Sequence, residues 1–266
     1  MYRTFFGFSR PPFGRDLPPE QLFRAPTLEE LHARLCYLAE TRGVGLLCSE
    51  PGCGKTTALR RFKEALHPDQ VRVVYLYDTA VNAGDLYRQL ALELGIEPRW
   101  SRAMSFRAIQ QEIARLSTER RLTVLLIIDE AHRLRPDVLA ELPLLTNFEW
   151  DSGSRLALLL CGQVGLRQRL RMAELEALAQ RITVRCHLQG IDRDTTRLYL
   201  EHRLKVAGVD RPLFSEPAFE AIWNASGGVF RKIDALAHNA LSAGAAARAR
   251  IVDADHVLTA AQEIRA

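Results

Sequence analysis

The sequence predicts an α/β fold in which helices cover both faces of a parallel sheet, followed by a small all-α domain. Between residues 43 and 188, short apolar segments alternate with stretches of helical periodicity, the pattern of parallel strands joined by right-handed crossovers. The first apolar segment runs through a glycine-containing turn straight into a helical pattern. From Asp192 onward no strand pattern remains, and four helical segments follow.

Composition indicates a globular protein of a reducing compartment. The 266 residues, 47% hydrophobic and 26% charged, suffice for one large or two modest domains. The five cysteines lack metal-ligand spacing, the apolar runs are too short to span a bilayer, and the N-terminus lacks the apolar core of a secretory signal. We therefore expect a cytoplasmic protein without a membrane partner. The net charge of +4 permits nucleic-acid binding without requiring it.

The remaining elements follow in chain order. Residues 1–26, rich in Phe, Pro and Gly, are expected to be irregular and packed on the domain that follows. Thr27 and Glu30 have capping-box spacing and predict a helix to about Glu40. The predicted strands are 43–48, 71–77, 123–128, 155–161 and 182–188. The later predicted helices are one from about 58, then 83–94, 105–118, 136–146, 167–180, 192–207, 216–226, 229–244 and 253–264. The expected division is 1–26, 27–190 and 191–266.

Residues 49–57 predict a phosphate-binding loop, because a buried strand precedes them and a helix follows. Successive backbone N–H groups wrap a phosphate there, and the helix adds its positive N-terminal end. Lys55 is expected to reach the β- and γ-phosphates of ATP, and the Thr56 hydroxyl to ligate Mg²⁺. The usual first glycine is replaced by Ser49. The candidate nucleotide-binding residues are Pro51, Gly52, Cys53, Gly54, Lys55, Thr56 and Thr57.

Asp129 and Glu130 end the apolar strand 123–128, about seventy residues after this loop. A buried parallel strand delivers them to the carboxyl edge of the sheet, where ligands bind in open α/β folds. Asp129 is expected to hold Mg²⁺, and Glu130 to polarise the water that attacks the γ-phosphate. An acidic helix cap is the simpler alternative when these two residues are taken alone.

With the phosphate loop and Asp129-Glu130, the chain resembles the AAA+ ATPases. The resemblance covers nearly the whole chain. The resemblance implies an ATPase with a P-loop AAA+ domain, a helical lid, and oligomers that share nucleotide between subunits. It also implies a sensor-1 role for Gln163, an arginine finger at Arg181 and a sensor-2 arginine at Arg231. Surface arginines are the alternative, and Arg169 and Arg171 compete for the finger role. The Asp-Glu-Ala-His spelling also resembles a helicase class, which would need a second motor domain that is not predicted after residue 190.

Within AAA+, the chain resembles the ExeA-type family, which contains secretion ATPases and ATPase subunits that assist DDE transposases, similar to TnsC, TniB and phage Mu B protein. The N-terminal Tyr2, Phe5–Phe8 and Pro12-Phe13 carry the family resemblance. The segments most like the transposition branch are 87–110, 145–148, 151–152, 161–163 and 178–182. Secretion relatives typically continue into a transmembrane helix, so the end of this chain at Ala266 favours transposition. That assignment implies double-stranded DNA, a transposase subunit and further copies of the chain as partners.

Basic residues on the inner face of such an oligomer are expected to contact DNA phosphates. The candidates are Arg99, Arg102 and Arg107, with Trp100 supporting the loop, and a solvated helix connection is the alternative. A second basic cluster, Arg167, Arg169 and Arg171, could serve DNA, the subunit interface or solvation. Trp150 and Trp223 are expected to be packing residues.

Overall fold

The computed structural model describes residues 2–14, 17–148 and 154–265. The expectations at Trp150, Asp151 and Ser152 fall outside these ranges. Contacts divide the chain into a sheet domain, residues 30–50 and 58–188, and a helical domain, residues 1–29, 51–57 and 189–266. This division differs from the expected one chiefly because the N-terminal segment and the 51–57 turn group with the helices.

The sheet is parallel and, in the described residues, has five strands in the order β2-β3-β4-β1-β5. Their bounds are β1 Val44–Ser49, β2 Val71–Leu76, β3 Thr123–Ile128, β4 Leu156–Gly162 and β5 Ile182–Leu188. Every residue of β1 and β4 is buried, as expected for central strands covered on both faces. The edge strand β5 alternates between buried and exposed positions instead. The predicted α/β class is confirmed.

Helices from the intervening segments form the outer layers of the sheet domain. They are α2 Pro26–Thr41, α3 Lys55–Ala65, α4 Ala83–Leu94, α5 Arg102–Thr118, α6 Pro136–Thr146, α7 Gly165–Arg169 and α8 Glu176–Arg181. One apolar core joins Val124, Leu126 and Ile128 of β3 to α4, α5 and α6. The intervening residues of β3, Leu125 and Ile127, are also buried, so both faces of the strand are covered.

The helical domain contains a short α1, Tyr2–Phe6, and the bundle α9 Arg193–Val206, α10 Glu216–Ser226, α11 Phe230–Ala246 and α12 Ala254–Arg265. Asp192 and Ser215 cap α9 and α10, because their side chains accept the backbone N–H groups of Thr195 and Ala218. Among the described residues, no helix is both long and apolar enough to cross a membrane.

Several predicted boundaries are wrong for identifiable reasons. Helix α2 begins at Pro26, a residue suited to a first helical turn, so Thr27 lies inside the helix and does not cap it. Ser101 caps α5 by accepting from Met104 N, which places Arg102 in a helix and not in a linker. The segment 167–180 is broken into α7, a short 3₁₀ turn and α8.

The N-terminal segment is less irregular than expected, since Tyr2–Phe6 is helical. Its aromatic side chains Tyr2, Phe6 and Phe8 lie in the apolar core of the helical domain, beside residues of α9 to α12. Tyr2 also makes a hydrogen bond with His238 Nδ1 at 3.1 Å. Burial of these rings gives the segment a fixed position on the helices.

A buried arginine connects residues 12–14 of this segment to the helical bundle. Arg203 is 7% exposed and donates to the carbonyl oxygens of Pro12 and Gly14, both at 2.7 Å. It also donates to the Tyr199 hydroxyl at 3.3 Å, which in turn donates to Asp234 Oδ1 at 2.6 Å. Burial raises the pKa of Asp234, and the positive charge of Arg203 opposes that rise.

Removing the Arg203 guanidinium should therefore strip donors from two carbonyl groups and a compensating charge from a buried carboxyl. We expect Arg203→Met to lower the free energy of unfolding by about 3 kcal/mol. Arg197→Met on the same helix is the matched control, because Arg197 forms exposed ion pairs with Glu201 and Glu216. Urea unfolding followed by circular dichroism should show a lower midpoint only for Arg203→Met. Equal midpoints for the two variants would contradict the buried network.

Candidate nucleotide site

The turn between β1 and α3 has the backbone of a phosphate cradle. Gly52 and Gly54 have φ angles of +93° and +89°, a region that side-chain-bearing residues rarely adopt. Helix α3 begins at Lys55, so its first N–H groups lie at the end of this turn. Ser49 is the buried last residue of β1 and precedes the turn. Glycine conformation and a helix N-terminus together fit a bound phosphate chain.

Helix α11 begins against this turn, inside the helical domain. The backbone N–H of Arg231 donates to the Gly52 carbonyl oxygen at 3.2 Å. A Cβ atom on Gly52 would lie 2.7 Å from Arg231 Cβ, and one on Gly54 would lie 3.4 Å from the Phe230 ring. The structure therefore brings Arg231, whose side chain is exposed, beside the predicted phosphate loop.

In the sheet domain, Asp129 follows β3 and is 5% exposed. Its Oδ2 accepts the Tyr75 hydroxyl at 2.7 Å, and its Oδ1 accepts the Glu130 backbone N–H at 2.8 Å. The pKa of Tyr75 is raised, first by burial and then by this hydrogen bond to the carboxylate. Because each oxygen has a donor, the carboxylate has a defined orientation.

Glu130 has an unusual backbone conformation, with φ +52° and ψ +29°. Its carbonyl oxygen accepts the Thr79 hydroxyl at 3.2 Å and the Arg133 backbone N–H at 2.8 Å. Its carboxylate oxygen Oε2 lies 3.7 Å from His132 Nε2. A left-handed conformation at a non-glycine residue is strained, and such strain is concentrated at functional sites.

Gln163 follows β4, and its side chain is exposed at the same edge of the sheet. The pairing of Ile128 with Leu160 places the end of β3 on one side of β4. The pairing of Cys48 with Gly162 places the end of β1 on the other side of β4. The Gln163 backbone N–H donates to His132 Nδ1 at 3.4 Å. Asp129, Glu130 and Gln163 thus lie at one carboxyl edge of the sheet, the position that strand topology predicts for Asp129 and Glu130.

The structure distinguishes the arginines that were candidates for the trans finger. Arg169 donates to the carbonyl oxygens of His132 and Leu134, the latter at 2.6 Å, so its guanidinium binds its own chain. Arg181 is the half-buried last residue of α8, immediately before β5, and Arg171 is exposed. The guanidinium of Arg169 is therefore engaged within the sheet domain.

A family model described as an AAA domain matches residues 38–170, half of the chain. The chain belongs to the AAA domain family. It is therefore an ATPase. A particular branch of the family does not follow from this match.

The curated relatives of this AAA domain protein include a secretion pathway protein and a phage target DNA activator. The chain is 34% identical, over 99% of its length, to general secretion pathway protein A of Aeromonas hydrophila, covering 48% of that protein. It is 27% identical, over 55% of its length, to the ATP-dependent target DNA activator B of Escherichia phage Mu, covering 44% of that protein. The chain thus spans about half the length of these relatives or less.

The fold resembles that of Cdc6p from Pyrobaculum aerophilum, with a TM-score of 0.71 and 21% identity. That alignment covers 95% of this chain and 70% of the other. At this identity, the likeness supports the fold alone.

The donors present fit ATP with Mg²⁺. Magnesium in nucleotide sites takes hard oxygen ligands, with one or two protein groups completed by phosphate oxygens and water. The Asp129 carboxylate and the Thr56 hydroxyl are ligands of this kind. Within the described residues, no cluster of three or more His, Cys, Asp or Glu side chains could hold a metal ion. Magnesium bound with the nucleotide supplies charge neutralisation at the transferring phosphoryl group.

Sequence reasoning missed the residues that orient this edge. Tyr75 and Thr79 lie in and just after β2, the next strand in the sheet beyond β3, and no motif marks them. The only available signal was strand order, which places the end of β2 beside that of β3. His132 was noted in the Asp-Glu-Ala-His spelling without a role in this fold.

The cradle yields a direct prediction for nucleotide binding by the AAA domain. Gly52→Ala should lower the affinity for ATP at least about tenfold, an energy of roughly 1.4 kcal/mol, because the new methyl group clashes with Arg231 and Val229. Gly95→Ala is the matched control, since Gly95 has φ +81° but nothing within 4 Å of its Cβ position. Calorimetric titration with a non-hydrolysable ATP analogue should show normal affinity for the control. Normal affinity in both variants would count against the cradle.

Proposed function

We propose that this AAA ATPase is a DNA-binding regulator of transposition, which oligomerises on double-stranded DNA with ATP and recruits or activates a DDE transposase. Hydrolysis of ATP then drives disassembly of the oligomer. The observation that carries DNA binding is an exposed aromatic and basic surface, the α4–α5 surface, formed by Arg99, Trp100 and Arg107. Similarity to the phage Mu target DNA activator supports the role in transposition.

The α4–α5 surface combines exposure with a fixed backbone. Trp100 is fully exposed, with a relative accessibility of 101%. Arg99 and Arg107 are also exposed. The buried Ser105 hydroxyl lies 3.2 Å from both the backbone N–H and the carbonyl oxygen of Arg99, and bonds with both. A held loop that presents two guanidinium groups beside an exposed indole suits the phosphate backbone of a duplex.

Arg102 fits this role less well than its neighbours. Its guanidinium donates to Glu141 Oε2 at 2.8 Å, and the same oxygen accepts the Tyr87 hydroxyl at 2.9 Å. Part of its charge is therefore already neutralised within the sheet domain. We assign the phosphate contacts to Arg99 and Arg107, and a mainly structural contact to Arg102.

The proposed chemistry distributes roles among residues at the phosphate loop and the sheet edge. Lys55 binds the β- and γ-phosphates, and Thr56 and Asp129 hold Mg²⁺. Glu130 polarises the attacking water, and Gln163 contacts that water or the γ-phosphate. Arg231 contacts the phosphates from the same subunit, and Arg181 reaches the nucleotide of the neighbour, where a guanidinium stabilises charge on the transferred group. The hydrogen bond from the Arg231 backbone N–H to the Gly52 carbonyl oxygen supports the assignment of Arg231.

The alternative is an ATPase that assists assembly of a secretion system through a protein partner. It is favoured by the 34% identity to general secretion pathway protein A, which extends over 99% of this chain. The ATPase chemistry is the same in both proposals, and both place this part of the protein in the cytoplasm. They differ in whether the α4–α5 surface meets DNA or protein.

Nucleotide-dependent binding to DNA separates these two proposals. With a random-sequence duplex, binding should require ATP or a non-hydrolysable analogue and weaken with ADP. It should persist longer in Glu130→Gln, because bound ATP is not consumed. Fluorescence anisotropy with duplexes of increasing length measures both affinity and assembly. ATPase activity without duplex binding in any nucleotide state would favour the secretion-type role.

Substitutions in the α4–α5 surface test whether that surface binds DNA. Arg99→Ala and Arg107→Ala should each weaken duplex binding across all sequences, and each should reduce the slope of log affinity against log salt by about 0.9. Arg250→Ala, an exposed arginine of the helical domain, is the charge-matched control. Trp100→Ala should weaken binding while leaving that slope unchanged, since the indole carries no charge. If Arg99→Ala, Arg107→Ala and Trp100→Ala bind the duplex as tightly as the control Arg250→Ala does, DNA does not occupy this surface.

A further inference from the structure

His132 bridges two residues of the candidate site in the sheet domain. Its Nδ1 accepts the Gln163 backbone N–H at 3.4 Å, and its Nε2 lies 3.7 Å from Glu130 Oε2. A backbone N–H group can only donate, so Nδ1 is an acceptor and the neutral ring carries its proton on Nε2. That proton faces the Glu130 carboxylate.

The backbone around His132 is fixed from two other directions. Arg169 donates to the carbonyl oxygens of His132 and Leu134. A Cβ atom on Gly162 would lie 3.2 Å from His132 N and 3.4 Å from His132 Cβ, so the end of β4 packs tightly against the His132 backbone. The imidazole therefore has a defined position relative to the end of β4.

We propose that His132 is a positioning residue that couples the Gln163 backbone to the orientation of the Glu130 carboxylate. The inference rests on the proposed role of Glu130 as the group that polarises the attacking water. Glu130 is anchored through its backbone, and its side chain is 39% exposed, so contacts at the carboxylate select among its orientations. Nε2–H lies 3.7 Å from Oε2, where it favours carboxylate orientations that face the ring, and a shift at Gln163 reaches Glu130 through the rigid imidazole.

This arrangement assigns His132 to hydrolysis and not to nucleotide affinity. The proposed phosphate cradle is formed by the 51–57 turn, whereas the ring nitrogens of His132 face Gln163 and Glu130. Loss of the ring should therefore change the rate of the chemical step while ATP binding stays the same. A merely structural role would instead change stability or both constants together.

Three substitutions at His132 distinguish the contribution of Nδ1 from that of Nε2. His132→Ala removes both, His132→Asn retains an acceptor near Nδ1, and His132→Gln retains an N–H donor near Nε2. In single-turnover ATPase assays without DNA, we expect Ala and Asn to slow hydrolysis on the order of tenfold, a size usual for coupled neighbours. Gln should recover much of the rate, and all three should keep the dissociation constant for ATP within about twofold. Thermal unfolding shows whether each variant is folded. If His132→Ala does not fold, the comparison of His132→Asn with His132→Gln tests the proposal.

The same measurements in Glu130→Gln complete a double-mutant cycle. If His132 acts through Glu130, His132→Ala should cause no further loss in that background. Equal losses in both backgrounds, or an unchanged rate for His132→Ala in the native chain, would overturn the coupling alone. A native rate for Glu130→Gln would overturn the proposed role of Glu130 and this inference with it. These assays leave the proposed DNA function to its own test, because no DNA is present.

Discussion

The candidate site of the sheet domain depends on the complete burial of β4 between β3 and β1. A strand buried along its whole length must have neighbours on both edges and helices on both faces, which fixes its register. The pairs Ile128–Leu160 and Cys48–Gly162 follow from that register, and they bring the ends of the three strands to one edge. Asp129, Glu130 and Gln163 occupy this edge because the strands end there.

Topology alone does not orient the carboxylates at that edge. The Asp129 carboxylate is oriented by a hydroxyl from β2 and by the next backbone N–H, and the Glu130 carbonyl is bound from Thr79. These bonds stabilise a left-handed conformation at Glu130 that the residue type disfavours. Support from the loop after β2 therefore compensates for local strain, so the β2 strand, which carries none of the recognised motifs, contributes to the geometry of the site.

The sequence was sufficient where periodicity and burial agree. Strands 123–128 and 182–188 and helices 83–94, 136–146 and 216–226 were predicted with the bounds that the structure has. It was insufficient where a single side chain decides a boundary, as when Pro26 begins α2 or Ser101 caps α5. Arg169 is the clearest limit within the site. Its basic side chain suggested DNA, a subunit interface or solvent, whereas it binds two carbonyl oxygens of its own chain. Such contacts depend on tertiary geometry that no local pattern encodes.

The α4–α5 surface shows why exposure has to be considered together with rigidity. A fully exposed indole on a flexible loop would lose conformational entropy on binding any partner, and that loss would offset much of the gain from contact. Here the Ser105 hydroxyl bonds with both backbone groups of Arg99, directly before Trp100, and Ser101 caps the helix directly after it. The ordering cost has therefore been met in folding. A preorganised backbone that presents an aromatic side chain favours a binding role over a simple connection between helices, and the flanking charges of Arg99 and Arg107 favour a phosphate backbone over an apolar protein surface.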